Sequence, residues 1–519
     1  MSLLINQKSI DLESGWTILQ AAEQLGVVIP TLCHRNGLTP FTSCMLCVVQ
    51  EMGSGKLLPA CSALAENGMV IETDNPAVHL ARKNALDLLL SEHVGDCQAP
   101  CQRGCPADMN IPQMLRQISQ GRFRDALITV RQDIALPAVL GRICPAPCEK
   151  VCNRGLHDTA LEICLLKKFV ADVDLASAIP YQPEREKLSG KRIAIIGAGP
   201  AGLTAAYYLS QKGHSCTLFD DHSQPGGMLR YGVEETRLDR KVLDREIGQI
   251  TSHHVQWQLG KKIGRDISFE HILAEFDAVC LTTGTLSEDQ ALAFGVGWSG
   301  RGIQVSANTF QTETKKIFSG GNAIGPGRMT VRAVAHGKEM ARSVDRFLSQ
   351  PTLAELPKRF YSRLGRLQKS EVQTLVEALP DLLPSGQTIA DEEIKQEARR
   401  CLHCDCRKLY SCKLRIYSEA YGAEQTRFKG ERKKISLSVQ HDLVIYEPGK
   451  CIKCGLCVRI TEKAKEPLGL TFIGRGFDVH IDVPFGESLA AGLKKVAEEC
   501  ALACPTAALS LKNQESQSE

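Results

Sequence analysis

Residues 1–75 alternate short apolar and polar runs between turn signals, which predicts a small half-open sheet around one helix. From 76 to 185 apolar positions recur every three or four residues, as in HLARKNALDLLLSEH and MLRQISQGRFRDALITVRQ, and predict helices. Periodicity lapses at 176–190 (ASAIPYQPEREKLSG), a Pro- and Ser-containing linker. Residues 191–348 alternate β-rich runs (RIAIIG, SCTLFD, AVCLTTG, KIFSGG) with helical patterns, the signature of a parallel α/β sheet. Helical spacing returns over 351–425, and a short α+β module fills 426–513. RKK at 432–434 reads as a solvated face and NQESQSE as a polar tail. The expected fold class is multidomain α/β and α+β, with segments 1–75, 76–185, 186–350, 351–425 and 426–519.

Composition changes this picture little until the cysteines are counted. The 519 residues suit three to four domains, and 43% hydrophobic with 23% charged residues is ordinary for a globular chain. A net charge of +3 argues neither for nor against an acidic partner, and no nucleic-acid partner is expected. No run of eighteen apolar residues exists, so no membrane span is expected. The start MSLLINQKSI lacks a basic segment followed by an apolar one, which points to an intracellular, cytoplasmic chain. The 22 cysteines do not suit a disulfide framework, which belongs to small secreted domains, and in a reducing compartment clustered thiols are expected to bind metal. Only Cys216 and Cys280 stand alone; the rest fall into four groups outside the α/β segment.

Cys33, Cys44, Cys47 and Cys61 are spaced C-x10-C-x2-C-x13-C, a long loop followed by a close pair, as plant-type ferredoxins wrap a [2Fe–2S] cluster. Zinc sites usually take two short-spaced pairs instead. With TLCHRNGL before it, the segment resembles the N-terminal ferredoxin domain of the complex I 75-kDa subunit and of iron hydrogenases.

DCQAPCQRGCPADMNIP and GRICPAPCEKVC hold Cys97, Cys101, Cys105, Cys144, Cys148 and Cys152. The segment resembles the N-terminal domain of the glutamate synthase small subunit and of dihydropyrimidine dehydrogenase, which interleaves two [4Fe–4S] clusters between two such runs. The resemblance implies one cluster on Cys97, Cys101 and Cys152 and another on Cys105, Cys144 and Cys148. The family usually has a further cysteine where this chain has Val94, which leaves one cluster a ligand short. His93, spaced His-x3-Cys97, stands where the complex I subunit places a histidine ligand; a helix-terminal histidine in water is the alternative. Cys164 is a candidate to complete the second cluster, although its apolar setting LEICLLKKF also suits a buried core thiol.

In RIAIIGAGPAG a strand runs into Gly197, Gly199 and Gly202, with Pro200 and Ala201 between them, a spacing that allows a tight bend, close approach to a pyrophosphate and close helix packing. Asp220 ends the next strand, placed for a ribose hydroxyl. QPGGMLRYGVEETRLDRKVLDREI, with Gly226, Gly227, Met228, Arg230 and Tyr231, resembles the flavin-contacting segment of the glutamate synthase small subunit. IFSGGNAIGPGRMTVRAVAHGKEMA, with Gly321, Asn322, Thr330 and Val331, resembles its closing FAD motif, in which Asn322 replaces the usual acid. Gly284 follows the TTG strand. The family inserts a second, NADPH-binding Rossmann unit between that strand and the closing motif, yet thirty-five residues separate Gly284 from Gly320. The resemblance therefore implies FAD without an NADPH subdomain.

Cys401, Cys404, Cys406 and Cys412 (C-x2-C-x-C-x5-C) suit a [4Fe–4S] cluster, with zinc as the alternative. Cys451, Cys454 and Cys457 form the C-x2-C-x2-C turn of a [4Fe–4S] site, with Cys504 as its distant ligand and Cys500 as runner-up. The region resembles the closing motif of the complex I 75-kDa subunit. The expected cofactors are FAD, one [2Fe–2S] and three to four [4Fe–4S] clusters, with no catalytic side chains of the chain's own. The composite resemblance implies an electron-transfer subunit of a cytosolic multisubunit oxidoreductase, linked to a hydrogenase, a formate dehydrogenase or NADH and ferredoxin, with electron bifurcation as one option. Its implied partners are an NADH-oxidising flavin subunit like that of complex I, a hydrogenase- or formate dehydrogenase-type catalytic subunit, and ferredoxin. The alternatives are a stand-alone NAD(P)H-dependent reductase of the glutamate synthase small-subunit type and an assembly scaffold.

Overall fold

The computed structural model describes residues 2–250, 255–350, 359–377, 391–428, 430, 435, 437–438 and 441–512. The RKK run and the polar tail lie outside them. The chain divides into two compact units, one of Met1–Ala99, Lys358–Pro380 and Leu402–Glu519, the other of Pro100–Pro357 and Asp381–Cys401.

The first unit begins with a hairpin of β1 (Ser2–Ile5) and β2 (Lys8–Asp11). Its two-residue turn puts Asn6 and Gln7 at φ 47° and 67°, the left-handed pair whose twist matches the flanking strands. With β3 (Val48–Glu51), β4 (Leu57–Pro59) and β5 (Val70–Glu72) they form a sheet ordered β2-β1-β5-β3-β4, in which only β1 and β5 are parallel. Helix Ile18–Gln24 opens on a capping box of Thr17 and Gln20, which satisfies two otherwise orphaned groups. Its Ile18, Ala21 and Ala22 close the core against Leu3, Ile5, Val49 and Ile71. From the next helix, Pro76–Ser91, the buried Arg82 reaches Val48 O (2.9 Å) and the Tyr421 hydroxyl (2.8 Å), joining the sheet to the C-terminal part of the same unit.

In the second unit the helices Ile111–Ser119, Phe123–Arg131, Pro137–Ile143 and Ile163–Ala176 precede the α/β layer. A Cβ on Gly141 would lie 2.7 Å from Lys168 Cα, so the last two helices cross at a distance only glycine allows. Glu246, fully buried, accepts from Ala138 N (2.8 Å) and Val139 N (2.7 Å) at the start of Pro137–Ile143. Burial pushes its carboxyl up to about 7, against the pull of Arg131 and of the two N–H groups. The folded chain therefore prefers the protonated acid, and the stability that form contributes is lost as pH rises from the ordinary carboxylate range through about 7. Glu246→Gln is expected to flatten a stability profile that otherwise falls by about 3 kcal/mol over that window, measured by urea unfolding of the full chain.

The α/β layer is the all-parallel sheet of β6 (Arg192–Ile196), β7 (Ser215–Asp220), β8 (Val255–Leu259), β9 (Ala278–Leu281) and β10 (Ile317–Ser319), ordered β10-β9-β6-β7-β8. Because side chains alternate across a strand, Ile193, Ile195, Leu218 and Phe318 pack on helices Pro200–Gln211 and Thr330–Ser349. Ala194, Ile196, Phe219 and Val279 face Phe269 and Ile272 on the other side. Cys216 and Cys280 lie in the first of these cores, where burial pushes the Cys216 thiol up to about 12 and keeps it inert. The connection 282–316 carries the short helix Glu288–Ala293 and contributes no strand to the sheet. The segment 176–190 has no regular structure after Ala176, but Glu186 N donates to Gln211 O (2.8 Å), so its end is pinned to the α/β layer.

The C-terminal part of the first unit contains β11 (Val444–Tyr446), β12 (Thr471–Ile473), β13 (His480–Asp482) and β14 (Leu509–Leu511), paired antiparallel as β11–β14 and β12–β13. Helices Leu456–Lys463 and Ala497–Ala503 bury Ile460, Cys500 and Ala501 against these strands. Among the described residues, no helix is long and apolar enough to cross a membrane.

Candidate cysteine-cluster and flavin sites

Among the described residues, left-handed positions in the cysteine loops that are not glycine include Thr42 (φ 58°), Met45 (52°), Ala146 (50°), His403 (47°) and Lys453 (55°). Such conformations cost free energy and persist where the surroundings impose them, and they turn successive N–H groups inward towards an anionic centre. Lys453 N points at Cys451 Sγ (3.4 Å), Leu509 N at Cys504 Sγ (3.5 Å) and Ser362 N at Cys97 Sγ (3.3 Å). Donors aimed at sulfur suit thiolates that hold iron.

Cys33, Cys44, Cys47 and Cys61 converge in the first unit, all buried. The Cys44 thiol bonds to Cys33 and holds it down at about 5, while Cys47 does the same for Cys61, at about 7. Their partners Cys44 and Cys47 are pushed up by the same contacts. These contacts thus lower two of the four thiols towards the thiolate that a metal requires.

In the second unit Cys144 and Cys148 flank Ala146 in the turn C-P-A-P-C, and the Cys164 thiol bonds to both. Cys105 lies within electrostatic reach of Cys144. At their centre is Lys167, 3% exposed, with its Nζ 3.8 Å from Cys164 Sγ. Burial opposes its charge, but the thiols of Cys164, Cys144, Cys105 and Cys148 outweigh this and raise its pKa. The helix Pro100–Gly104, which carries Cys101, packs on the segment before Cys152, so that a Cβ on Gly104 would meet Val151 Cγ2 at 2.6 Å. Cys401 is buried in this unit.

Back in the first unit, Cys451, Cys454, Cys457 and Cys504 act on one another's charge, with Cys500 close by. Cys500 differs in that its thiol donates to Cys457 O (3.8 Å) and it is wholly buried in the apolar core. Arg459 donates to both Cys33 O (2.8 Å) and Cys454 O (3.2 Å), tying the first cysteine group to this one. Lys408 donates to Cys504 O (3.0 Å) while feeling Cys412 and Cys406, so it stands between this group and the next. Cys97, Cys406 and Cys412 are buried, and Cys97 lies within reach of Cys406's charge, whereas the family resemblance associates it with Cys101 and Cys152. Cys404 is half-buried in the same loop. His93 is half-buried, and Val94 N beside it donates to Gly449 O (2.8 Å).

The residues expected to hold flavin gather at the C-terminal ends of β6, β7, β9 and β10. Gly197 (φ 107°) has no room for a Cβ, which would meet Thr282 O at 2.4 Å, and a Cβ on Gly202 would meet Gly197 O at 2.0 Å. At Gly199 the nearest atom to a Cβ is Gly227 Cα, at 4.0 Å, leaving open a hollow beside the first turn of Pro200–Gln211. That helix has no side-chain cap, nor has Thr330–Ser349, so their first N–H groups are available to an anion. Ala201 faces Gly321, whose Cβ would approach it to 3.0 Å. Asp220 accepts from Ala198 N (2.7 Å) and His222 N (2.9 Å), and so fixes the glycine turn. Arg230 Nε donates to Pro225 O (2.7 Å), Tyr231 stacks on His222 (4.4 Å), and Met228 beside Gly226 and Gly227 is exposed. Asn322 donates to Gly327 O (3.2 Å) just before Thr330 and Val331. Thr283 Oγ1, buried next to Gly284, has no partner among the described residues. An orphaned hydroxyl, a glycine hollow and two uncapped helix ends fit a dinucleotide.

Sequence reasoning overlooked Lys167, Lys408 and Arg459. Only Lys167 left a signal, a lysine three positions after a candidate cysteine on an otherwise apolar helix face.

Comparison with known proteins gives three partial family matches. Residues 1–76 match the 2Fe-2S iron-sulfur cluster binding domain, 91–179 the dihydropyrimidine dehydrogenase domain II, 4Fe-4S cluster, and 195–254 the NAD(P)-binding Rossmann-like domain. Over 190 residues the chain is 40% identical to the NADPH-Fe(3+) oxidoreductase subunit beta of Geobacter sulfurreducens, covering 36% of this chain and 28% of that one. The NADP(+)-dependent formate dehydrogenase subunit beta of Moorella thermoacetica is 38% identical over 207 residues, covering 36% and 29% of the two chains. The glutamate synthase [NADPH] small chain of Mycobacterium tuberculosis is 36% identical over 190 residues, covering 36% and 39%. The chain thus spans well under half of these relatives. It is a multidomain α/β and α+β protein with a 2Fe-2S domain, a 4Fe-4S domain and a Rossmann-like domain, similar in part to glutamate synthase small chains and related oxidoreductase subunits.

Proposed function

We propose that this chain is an iron–sulfur flavoprotein subunit that conducts electrons within a multisubunit oxidoreductase of the formate dehydrogenase or hydrogenase kind. The observation that carries this reading is the contiguity of cysteine groups inside the first unit: Cys33 lies within reach of Cys454, Cys454 of Cys504, and Cys504 of Cys412. Iron–sulfur clusters supply one-electron chemistry and FAD links it to two-electron chemistry. The chain's own residues bind and insulate. The thiols at Cys33, Cys44, Cys47 and Cys61, and at Cys451, Cys454, Cys457 and Cys504, hold metal, apolar neighbours such as Leu32, Leu46 and Leu456 exclude water, and Arg459 fixes the spacing of the first two groups. Cys105, Cys144, Cys148 and Cys164 hold a cluster in the second unit, with Cys101 and Cys152 as further ligands. Gly199, Gly227, Asp220, Thr283 and the first turn at Thr330 and Val331 receive FAD.

The alternative, an NAD(P)H-dependent reductase, is favoured by the Rossmann-like match at 195–254 and by the names of the relatives. Against it stands the strandless connection 282–316, which leaves no second dinucleotide domain after β9. Stopped-flow mixing of the isolated chain, loaded with FAD and iron, separates the two. Dithionite should bleach flavin and clusters, while NADH or NADPH alone should leave them oxidised through many seconds. Fast bleaching by either nucleotide would establish the reductase instead.

A further inference from the structure

The loop 402–412 comes back to a segment more than three hundred positions earlier in the chain. Cys406 N donates to Cys97 O (3.1 Å), Cys97 N donates to Ser362 O (3.1 Å), and Ser362 N points at Cys97 Sγ (3.3 Å). The Cys97 backbone is therefore held on one side by the C-terminal loop. On the other side, Val94 N bonds to Gly449 O (2.8 Å), and Lys450 fills the space where a Gly95 side chain would be. Cys97, Cys406 and Cys412 are all buried, and the Cys412 thiol feels both of the others. The ammonium of Lys408 is 4% exposed and bonds only to the carbonyls of Ala501 and Cys504; no carboxylate pairs with it among the described residues.

We propose that Cys97 is a ligand of one [4Fe–4S] cluster together with Cys406 and Cys412, so that the C-terminal loop supplies what the N-terminal module lacks at Val94. The inference rests on the reading above that the cysteine groups hold iron–sulfur clusters.

Anaerobic reconstitution of the full chain with iron and sulfide, followed by iron analysis and EPR of the reduced protein, tests it. Cys97→Ser, Cys406→Ser and the double variant should each lose the same about four irons, with the [2Fe–2S] signal retained as a check on folding. Should the serine variants not accumulate, Cys97→Asp and Cys406→Asp keep a ligand atom, and both should shift one and the same EPR signal, while Cys144→Asp shifts another. Additive iron loss in the double variant, or shifts of two different signals by Cys97→Asp and Cys406→Asp, would overturn the shared site alone. A reconstituted chain with no iron beyond the [2Fe–2S] pair would overturn the cluster reading as well.

Discussion

Gly199→Ala is expected to empty the proposed flavin site while leaving the second unit folded. A Cβ at that position meets no protein atom closer than Gly227 Cα at 4.0 Å, which is ordinary contact, so the apoprotein accommodates it. The same Cβ projects into the hollow where the backbone must approach a pyrophosphate closely, a place only glycine serves. Flavin content after reconstitution should fall by about tenfold or more, the equivalent of at least ~1.4 kcal/mol of lost binding, with an unchanged far-UV spectrum. Gly202→Ala makes the contrast. Its Cβ would meet Gly197 O at 2.0 Å and Thr282 Oγ1 at 2.7 Å, so this variant should lose flavin and stability together. Equal flavin binding by Gly199→Ala and the unaltered chain would remove the hollow from the site.

Lys167→Met should make the cluster proposed on Cys105, Cys144, Cys148 and Cys164 harder to reduce. The ammonium lies 3.8 Å from Cys164 Sγ, buried, with no carboxylate paired to it among the described residues. A unit charge about 6 Å from the centre, at an effective dielectric constant of about 20, is worth roughly 3 kcal/mol. For a one-electron couple that is a shift on the order of 100 mV. Losing a positive charge disfavours the more negative, reduced state, so the potential moves down. Methionine keeps the length and apolar stem of lysine, and Lys167→Arg keeps the charge and should stay near the original potential. Potentiometric EPR titration measures all three. An unmoved potential in Lys167→Met would mean that other dipoles compensate the ammonium.

The α/β layer was the most legible part of the chain. A strand of RIAIIG entering Gly197, Gly199 and Gly202 fixes a turn because each glycine has its own reason: a left-handed φ, an open approach, and a helix too close for a Cβ. The four cysteines at 33–61 were legible for a similar reason, since their spacing is a local property of one loop. Cys164 was only half legible: an apolar helix face conceals a thiol aimed at Cys144 and Cys148, and proximity across a fold leaves no periodic trace.

The sequence by itself determined the local parts: which segments form a parallel sheet, where cysteines cluster along the chain, and where the glycine turn of a Rossmann-like domain lies. Those depend on neighbours within a few dozen residues. Tertiary structure decided the assembly of these parts. It placed residues 1–99 and 402–519 in one unit, although read in order they are opposite ends of the chain. It set Cys33 near Cys454 through Arg459, and Cys97 against Cys406 through a single backbone hydrogen bond. It also buried Lys167 and Lys408 among thiols. Long-range pairing of this kind is fixed by shape and buried charge rather than by spacing along the chain.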